Sequence, residues 1–163
     1  MTPQDFGTHP LDGIRYQQQL EQKAFLMGGA NGCAPVQYTR DFLEGRPSAS
    51  FQEVMPSYAR GVVLCDLHPL FDAPITLALE QGIRHFDRQI HGFADTGILT
   101  GVESRSSSPV RLVRDPQTLM GSIRGLYPCG EGAGYAGGIV TSAVDGIRCA
   151  CALIESSAPA ENA

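Results

Sequence analysis

The feature that most constrains the fold of this chain is a glycine-rich turn near its carboxyl end. An apolar segment at 125–129 has the length of a buried strand, and a helical pattern of apolar residues begins at Ile139. Five glycines lie between them: Gly130, Gly132, Gly134, Gly137 and Gly138. Glycine lets backbone N–H groups approach an anion closely, and a helix N-terminus adds a partial positive charge. The order strand, turn, helix therefore predicts contact with a phosphate-bearing ligand.

The same turn contains a G-x-G-x-x-G match at 132–137, the fingerprint of dinucleotide-binding folds. That fingerprint requires a second strand after the helix, with an acidic residue about 20 positions further on. Here the helix is followed by small and polar residues at 156–163, which we expect to form a flexible tail. We therefore expect the motif to close a sheet that begins elsewhere, and we expect the amino-terminal Rossmann unit to be absent from this sequence.

Composition narrows the class of protein. The 163 residues are 42% hydrophobic, enough for one packed domain. A net charge of −5 without a basic patch argues against nucleic acid and anionic membranes as partners. The N-terminus lacks the features of a secretory signal, and the five cysteines form no C-x-x-C pair. These observations are typical of a reduced, cytoplasmic protein.

Helices are predicted mainly in the first part of the chain. Residues 12–27 carry an apolar stripe and end at a glycine pair, and residues 1–10 look irregular. A second helix is expected to start at Pro35, which suits the first helical position. The clearest amphipathic pattern begins after a capping Asp72 and runs to about His91. Loop is expected over 46–61.

Short β-rich segments follow or separate these helices. They lie at 61–65, 98–105 and 110–114, in addition to 125–129. The predicted fold class is therefore α/β, as an α+β mixture with a small sheet that ends in a strand, a glycine-rich turn and a helix. Because so few strands must cover several apolar helix faces, either the sheet is small and antiparallel or a partner supplies the rest.

Several side chains are candidates for chemistry. Glu131 is expected at a strand end, where a carboxylate can bind a sugar or ribityl hydroxyl. The polar segment 104–109 could present hydroxyls and a guanidinium to a ligand, although an ordinary loop explains its composition better. The four histidines lack metal-ligand spacing, so no metal is predicted. Cys129 could be a redox thiol, but packing as a small apolar residue is the favoured interpretation.

Two stretches carry a resemblance to a known family: GVESRSSSPVR at 101–111 and GLYPCGEGAGYAGGIVTSAVDGIR at 125–148. Softer similarity covers 9–25, 34–48 and 86–105. The chain resembles the C-terminal region of bacterial FAD-dependent dehydrogenases, also called NAD-utilising, whose substrates are uncharacterised. In that family an amino-terminal Rossmann unit binds the FAD adenosine and pyrophosphate, and a middle portion forms a domain over the flavin.

The resemblance implies roles for individual residues. Gly130 and Glu131 would meet the pyrophosphate–ribityl region, and Gly137, Gly138 and Ile139 would approach the flavin ring or pyrophosphate. Gly132 and Gly134 complete the candidate cofactor-binding turn. A candidate active-site face comprises Glu103, Arg105, Ser107, Ser108 and Pro109. No catalytic base is implied.

The resemblance also implies a domain layout. Residues 1–96 would form the mainly helical part that covers the flavin, and residues 97–155 would hold the strands and the FAD-contacting turn and helix. This predicts the C-terminal fragment or subunit of a two-domain FAD-dependent oxidoreductase acting on a small molecule, with NAD(P)H as electron donor or acceptor. The partner is the missing amino-terminal FAD-binding part, on the same or a separate polypeptide, and the chain alone is expected to be inactive.

Two alternatives stay open at this point. One is a non-catalytic interaction or nucleotide-binding module that pairs with a separate FAD domain. The other is a small independent nucleotide-binding protein. In the fragment interpretation the chain exposes apolar surface, so we expect it to form a homodimer or to aggregate.

Overall fold

The computed structural model describes residues 3–157. It is a mixture of helices and a small sheet, as predicted. Within the described residues the elements, in chain order, are α1 (Pro3–Phe6), α2 (Asp12–Met27), β1 (Ala34–Tyr38), α3 (Thr39–Leu43), β2 (Val62–Leu64), a 3-10 turn (His68–Leu70), α4 (Ala73–Gln89), α5 (Phe93–Thr96), β3 (Ile98–Thr100) and α6 (Ile139–Ser157).

The chain divides into two compact units. The terminal unit consists of Met1–Tyr16 and Arg105–Ala163, and the central unit consists of Gln17–Ser104. The boundary predicted at residue 96 separates two functional parts. The compact units do not test it, so it stays a prediction. Most of the predicted tail at 156–163 lies outside the described residues.

The sheet of the central unit is mixed, with strand order β2–β1–β3. β1 runs parallel to β2, with Val36 opposite Leu64, and antiparallel to β3, with Val36 opposite Thr100. The expected alternative of a purely antiparallel sheet is therefore wrong. The central strand is buried along its whole length, while the two outer strands are only partly covered.

The predicted second helix is the main error in the central unit. Residues 34–38 form β1, and the helix occupies only Thr39–Leu43. A central strand must suit partners on both sides, and β-branched or aromatic residues such as Val36 and Tyr38 fit that position well. Pro35 lacks an N–H, but its carbonyl accepts a hydrogen bond from Gly101 at 2.9 Å. Pairing across the sheet thus outweighs the local preference for a helix start.

The core of the central unit forms where α2, α3, α4 and the 3-10 turn meet. Its buried members are Ala24, Phe42, Leu67, Leu70 and Ile83. The helix predicted at 12–27 is confirmed, and Leu20 and Ala24 of its apolar stripe are buried. The helix predicted after Asp72 is also confirmed, and the loop at 46–61 has no helix or strand.

One buried polar side chain connects this core to its loops. The side chain of Gln37 is fully buried on β1, and its carbonyl oxygen accepts a hydrogen bond from the Leu67 amide at 2.7 Å. Its amide nitrogen donates to the carbonyl of Arg46 at 2.9 Å. Both ends of the side chain are thereby satisfied, as burial of an amide requires.

The terminal unit contains fewer strands than its sequence predicts. Residues 110–114 and 125–129 form no strand, and the only bridge in the region joins Arg114 and Gly121 within the described part of the chain. Pro128 cannot donate a hydrogen bond to a strand ladder, and its carbonyl accepts one from a side chain instead.

Two further segments differ from their prediction. In the central unit, β3 covers only Ile98–Thr100 of the β-rich stretch at 98–105. Residues 1–10 were expected to be irregular, but they contain the short helix α1.

Candidate functional site

The helix predicted after the glycine turn is confirmed as α6, and its apolar side faces outward. The residues that gave the helical pattern are largely exposed, with Ile139 at 92%, Ile147 at 64% and Ile154 at 68%. Its two buried residues are Asp145 and Cys149, one turn apart on the other side. An amphipathic helix normally turns its apolar side inward. The outward face of α6 is therefore available to another surface.

A buried ion pair joins this helix to the segments that precede it. Arg114 donates to the two carboxylate oxygens of Asp145 at 2.6 and 3.0 Å, and both side chains are about nine-tenths buried. Arg114 also donates to the carbonyl of Pro128 at 2.7 Å. The carboxylate of Asp145 accepts a third bond from the Gly130 amide at 2.9 Å. One ion pair thus anchors the start of the glycine turn.

The charges in this pair stabilise each other. The hydrogen bonds from Arg114, and then from the Gly130 amide, hold the pKa of Asp145 below its usual range. The same carboxylate raises the pKa of the Arg114 guanidinium. Asp145 is therefore ionised at neutral pH, and the hydrogen bond from the Gly130 amide favours that form.

The turn itself is closed by backbone hydrogen bonds. The amide of Gly134 donates to the carbonyl of Glu131 at 2.9 Å, and the amide of Tyr135 donates to the carbonyl of Gly130 at 3.1 Å. Gly130 and Gly134 have φ values of 72° and 80°, in the left-handed region that favours glycine. A Cβ at Gly134 would lie 2.5 Å from the carbonyl oxygen of Val110, so this glycine serves close packing.

An aromatic ring covers the ion pair on the turn side. The guanidinium of Arg114 lies 3.7 Å from the centre of the Tyr135 ring, and that of Arg111 lies 5.1 Å away. The Tyr135 hydroxyl donates to the carbonyl of Leu112 at 3.0 Å and accepts from the Arg114 amide at 3.2 Å. Such cation–π contacts strengthen when they are shielded from water. Tyr135 therefore helps to fix the turn against residues 111–114.

The outer rim of the turn is open and polar. A Cβ added at Gly132 or Gly137 would meet no atom within 4 Å. The first N–H groups of a helix lack intrahelical partners, and Gly138 and Ile139 are exposed where α6 begins. The buried hydroxyl of Ser142 has no hydrogen-bond partner within residues 3–157, and the Ser142 Cβ lies 3.9 Å from where a Gly130 Cβ would sit. Open glycines, helix N–H groups and an orphaned hydroxyl fit an anionic group such as a pyrophosphate.

The candidate active-site face is divided between the two units. Glu103 belongs to the central unit, where it lines a cleft of about 440 Å³ together with Cys33, Tyr58 and Arg60. Arg105, Ser107, Ser108 and Pro109 belong to the terminal unit.

The segment 105–109 has local contacts of its own. The Ser108 hydroxyl donates to the carbonyl of Val110 at 2.8 Å, which is a local turn contact. Pro109 packs against Gly13, where an added Cβ would lie 2.7 Å from the proline side chain. Arg105 and Ser107 also have interaction partners. The role predicted for this face stays a prediction.

Three residues that build the site escaped the sequence analysis: Arg114, Tyr135 and Asp145. Only Asp145 left a signal, as one of two charged residues, with Arg148, in the middle of a largely apolar helix. Its partner Arg114 lies 31 positions earlier, so no local spacing connects them.

In the part of the chain that the structure describes, no group of three or more histidine, cysteine, aspartate or glutamate side chains could hold a metal ion. Each helix between residues 3 and 157 is either too short or too polar to span a lipid bilayer.

Comparison with known proteins identifies the family. Residues 1–106 match the family described as "FAD-dependent protein, C-terminal domain-like". The chain is also 45% identical over 157 residues to an uncharacterised protein of Clostridium beijerinckii, an alignment that covers 95% of this chain. It spans only 30% of that relative's length. The chain therefore belongs to the family of C-terminal domains of FAD-dependent proteins.

Proposed function

We propose that this chain is the C-terminal part of an FAD-dependent oxidoreductase and that its glycine turn forms one wall of the FAD site. Family membership and the length of the Clostridium beijerinckii relative support a larger flavoprotein. The missing partner would be the amino-terminal FAD-binding part, carried on the same or a separate polypeptide.

The observation that carries this proposal is the outward apolar face of α6. Exposed side chains such as Ile139, Val140 and Ile147 follow directly after the open rim of the turn. Burying apolar surface contributes about 25 cal/mol per Å², so a contiguous face of this kind favours association. A partner that covers this face would also stand next to the glycine rim, where the cofactor is expected.

The chain's own residues would bind and orient the cofactor. The N–H groups at Gly137, Gly138 and Ile139 would donate to pyrophosphate or ring oxygens, helped by the partial positive charge of the helix N-terminus. Gly130, Gly132 and Gly134 would keep the backbone close to the ligand, and the partly exposed Glu131 would accept from a ribityl hydroxyl. When bound, the flavin supplies the redox chemistry itself.

The finer assignment is that the whole enzyme is a dehydrogenase, with NAD(P)H as donor or acceptor and a small molecule as substrate. Glu103, Arg105, Ser107, Ser108 and Pro109 are proposed for its active-site face. Since this chain carries only part of such a site, it is proposed to be inactive alone.

The first test is the visible absorption spectrum of the purified chain with FAD, before and after desalting. We expect no retained flavin band. Flavin should be retained when the chain is co-expressed with the portion of the Clostridium beijerinckii relative that it does not match. The full-length relative is the reference and should carry flavin itself. A colourless full-length relative would overturn the FAD assignment, and flavin retained by the chain alone would show that its site is complete.

The second candidate is a non-catalytic module that pairs with a separate FAD domain. It is favoured by the same exposed helix face, which needs only a partner and no chemistry. The dehydrogenase and the non-catalytic module differ in whether the assembled complex reduces its flavin with a nicotinamide cofactor. If NADH and NADPH both fail to bleach the flavin of the assembled complex, the dehydrogenase assignment fails while the docking role stands.

A further inference from the structure

Two cysteines meet beneath the glycine turn. Cys129 directly precedes Gly130 and is exposed, whereas Cys149 lies on α6 and is 4% exposed. After burial and the neighbouring charges, the Cys129 thiol is among the groups that raise the pKa of the Cys149 thiol. The Cys149 sulfur also lies 3.9 Å from the carbonyl oxygen of Pro128, the residue that precedes Cys129. The sulfur of Cys149 thus lies against the peptide group that leads into Cys129.

From this juxtaposition we infer that Cys129 and Cys149 form a reversible redox pair that a peroxide converts to a disulfide. The pair lies outside the cofactor-binding role proposed above and does not depend on it. Cys129 is the reactive thiol, because it alone of the two reaches solvent. Cys149 is the resolving thiol, because it is buried beside the peptide group that precedes Cys129.

The surroundings of Cys149 suit the resolving role. Burial raises the pKa of its thiol, so it stays protonated and unreactive toward solutes until a partner sulfur is activated beside it. Arg114 donates to its sulfur at 3.2 Å with the same nitrogen that donates to the Pro128 carbonyl. The guanidinium therefore holds both cysteine positions in place and can stabilise negative charge on Cys149 as it reacts.

The chemistry balances in two steps. The Cys129 thiolate attacks one oxygen of hydrogen peroxide; an S–O bond forms, the O–O bond breaks, and water leaves with a sulfenic acid on Cys129. The Cys149 sulfur then attacks that sulfenic sulfur; an S–S bond forms, the S–O bond breaks, and a second water leaves. The two thiols lose two electrons in total, and their protons end in the two waters. A dithiol such as dithiothreitol reverses the reaction by exchange.

The disulfide would affect the turn directly. It would tie the residue before Gly130 to α6 and close a loop that contains all five turn glycines. A cross-link of this kind restricts the chain conformations available to the loop. Oxidation should therefore make the glycine turn less mobile.

The test is peptide mapping of the full chain after reduction, desalting and exposure to about one equivalent of hydrogen peroxide. Trypsin cleaves after Arg124 and Arg148, so Cys129 falls in peptide 125–148 and Cys149 in the peptide that follows. We expect these two peptides to be linked, the intact chain to be about 2 Da lighter, and dithiothreitol to restore both. Titration should show two of the five thiols lost.

The matched control is Cys151→Ser, because Cys151 shares a tryptic peptide with Cys149 but is exposed on α6. This variant should retain the link, and Cys149→Ser should lose it. The inference is overturned if the link persists in Cys149→Ser, if it disappears in Cys151→Ser, or if Cys129 accumulates as sulfinic acid in the wild-type chain. The wild-type and Cys151→Ser results decide the matter even if Cys149→Ser does not fold.

Discussion

Asp145 and Arg114 form a two-point ion pair, with hydrogen bonds of 2.6 and 3.0 Å, that also secures the glycine turn. The carboxylate reaches the Gly130 amide and the guanidinium reaches the Pro128 carbonyl. Residues on either side of Cys129 are thus bound to the two members of one pair. The position of the turn depends on charges rather than on strand pairing.

The first prediction concerns removal of one member of this pair. Asp145→Asn should destabilise the chain by about 3 kcal/mol, because it leaves Arg114 buried without a counter-charge. The substitution also replaces the carboxylate oxygen that accepts a hydrogen bond from the Gly130 N–H by a neutral amide oxygen, which is a weaker acceptor. Denaturant unfolding followed by circular dichroism measures the change. Glu155→Gln, an exposed position on the same helix, is the control and should stay within about 0.5 kcal/mol of wild type. Equal stabilities for the two variants would contradict this role of the pair.

The second prediction concerns acid. The pKa of Asp145 is lowered from its ordinary value of 3.8, mainly by the hydrogen bonds from Arg114. A carboxyl with a lowered folded pKa stabilises the fold at pH values above its unfolded pKa. That contribution is lost as the pH falls through the folded pKa. The free energy of unfolding should therefore decrease between about pH 4 and pH 2 more steeply in wild type than in Asp145→Asn. Parallel pH profiles for the two proteins would show that Asp145 does not carry this dependence.

The third prediction separates packing glycines from ligand glycines. Gly134→Ala should cost about 2 kcal/mol, because its φ is 80° and an added Cβ would lie 2.5 Å from the Val110 oxygen. Gly132→Ala meets open space, so its unfolding free energy should change by less than about 0.5 kcal/mol.

Flavin retention is the second measurement that separates the two glycine variants. Gly132→Ala should reduce the flavin retained by the complex with the amino-terminal part, because its Cβ would occupy the open rim where the ligand is proposed. Absorbance after desalting measures it. If Gly132→Ala retains flavin as well as wild type does, the rim at Gly132 is not part of the cofactor site.

The sequence predicted the long helices well because their signals are local. The stripe of α2, the Asp72 that precedes α4 and the start of α6 at Ile139 are each read from neighbouring residues alone, although the Asp72 side chain makes no capping hydrogen bond. A strand forms only where another segment pairs with it, and the local sequence pattern does not identify that segment. Residues 34–38 became the central strand because two other segments pair with them, whereas residues 125–129 pair with no strand in the described part of the chain.

The same distinction explains what was missed in the site. The glycine turn and its helix are visible as a local motif, but the anchor is a contact between residues 31 positions apart. The apolar periodicity of α6 located the helix without showing which side is buried. In α4, likewise, the pattern residues Leu79 and Phe86 are exposed at 40% and 52%, while Ile83 is buried. Periodicity predicts a helix, whereas the direction of its apolar face depends on what surrounds it.

The last prediction concerns that face on α6. Exposed apolar side chains there should cause the isolated chain to self-associate, since no surface within residues 3–157 covers them. Ile147→Glu places a charge in the middle of the face and should reduce the dimer or aggregate fraction in size-exclusion chromatography with light scattering. It should also weaken docking to the amino-terminal part, by about 10-fold or more in Kd, because a buried charge without a partner is costly.

A matched control is available on another helix. Leu26 is 61% exposed at the end of α2, close to the 64% of Ile147, so Leu26→Glu introduces the same charge at a similarly exposed apolar position. It should leave both self-association and docking unchanged. If the two variants behave alike, general surface charge explains the effect and α6 is not the interface. If the wild-type chain elutes as a compact, monodisperse monomer, its exposed face does not drive self-association, and only the docking experiment can assign α6 a partner.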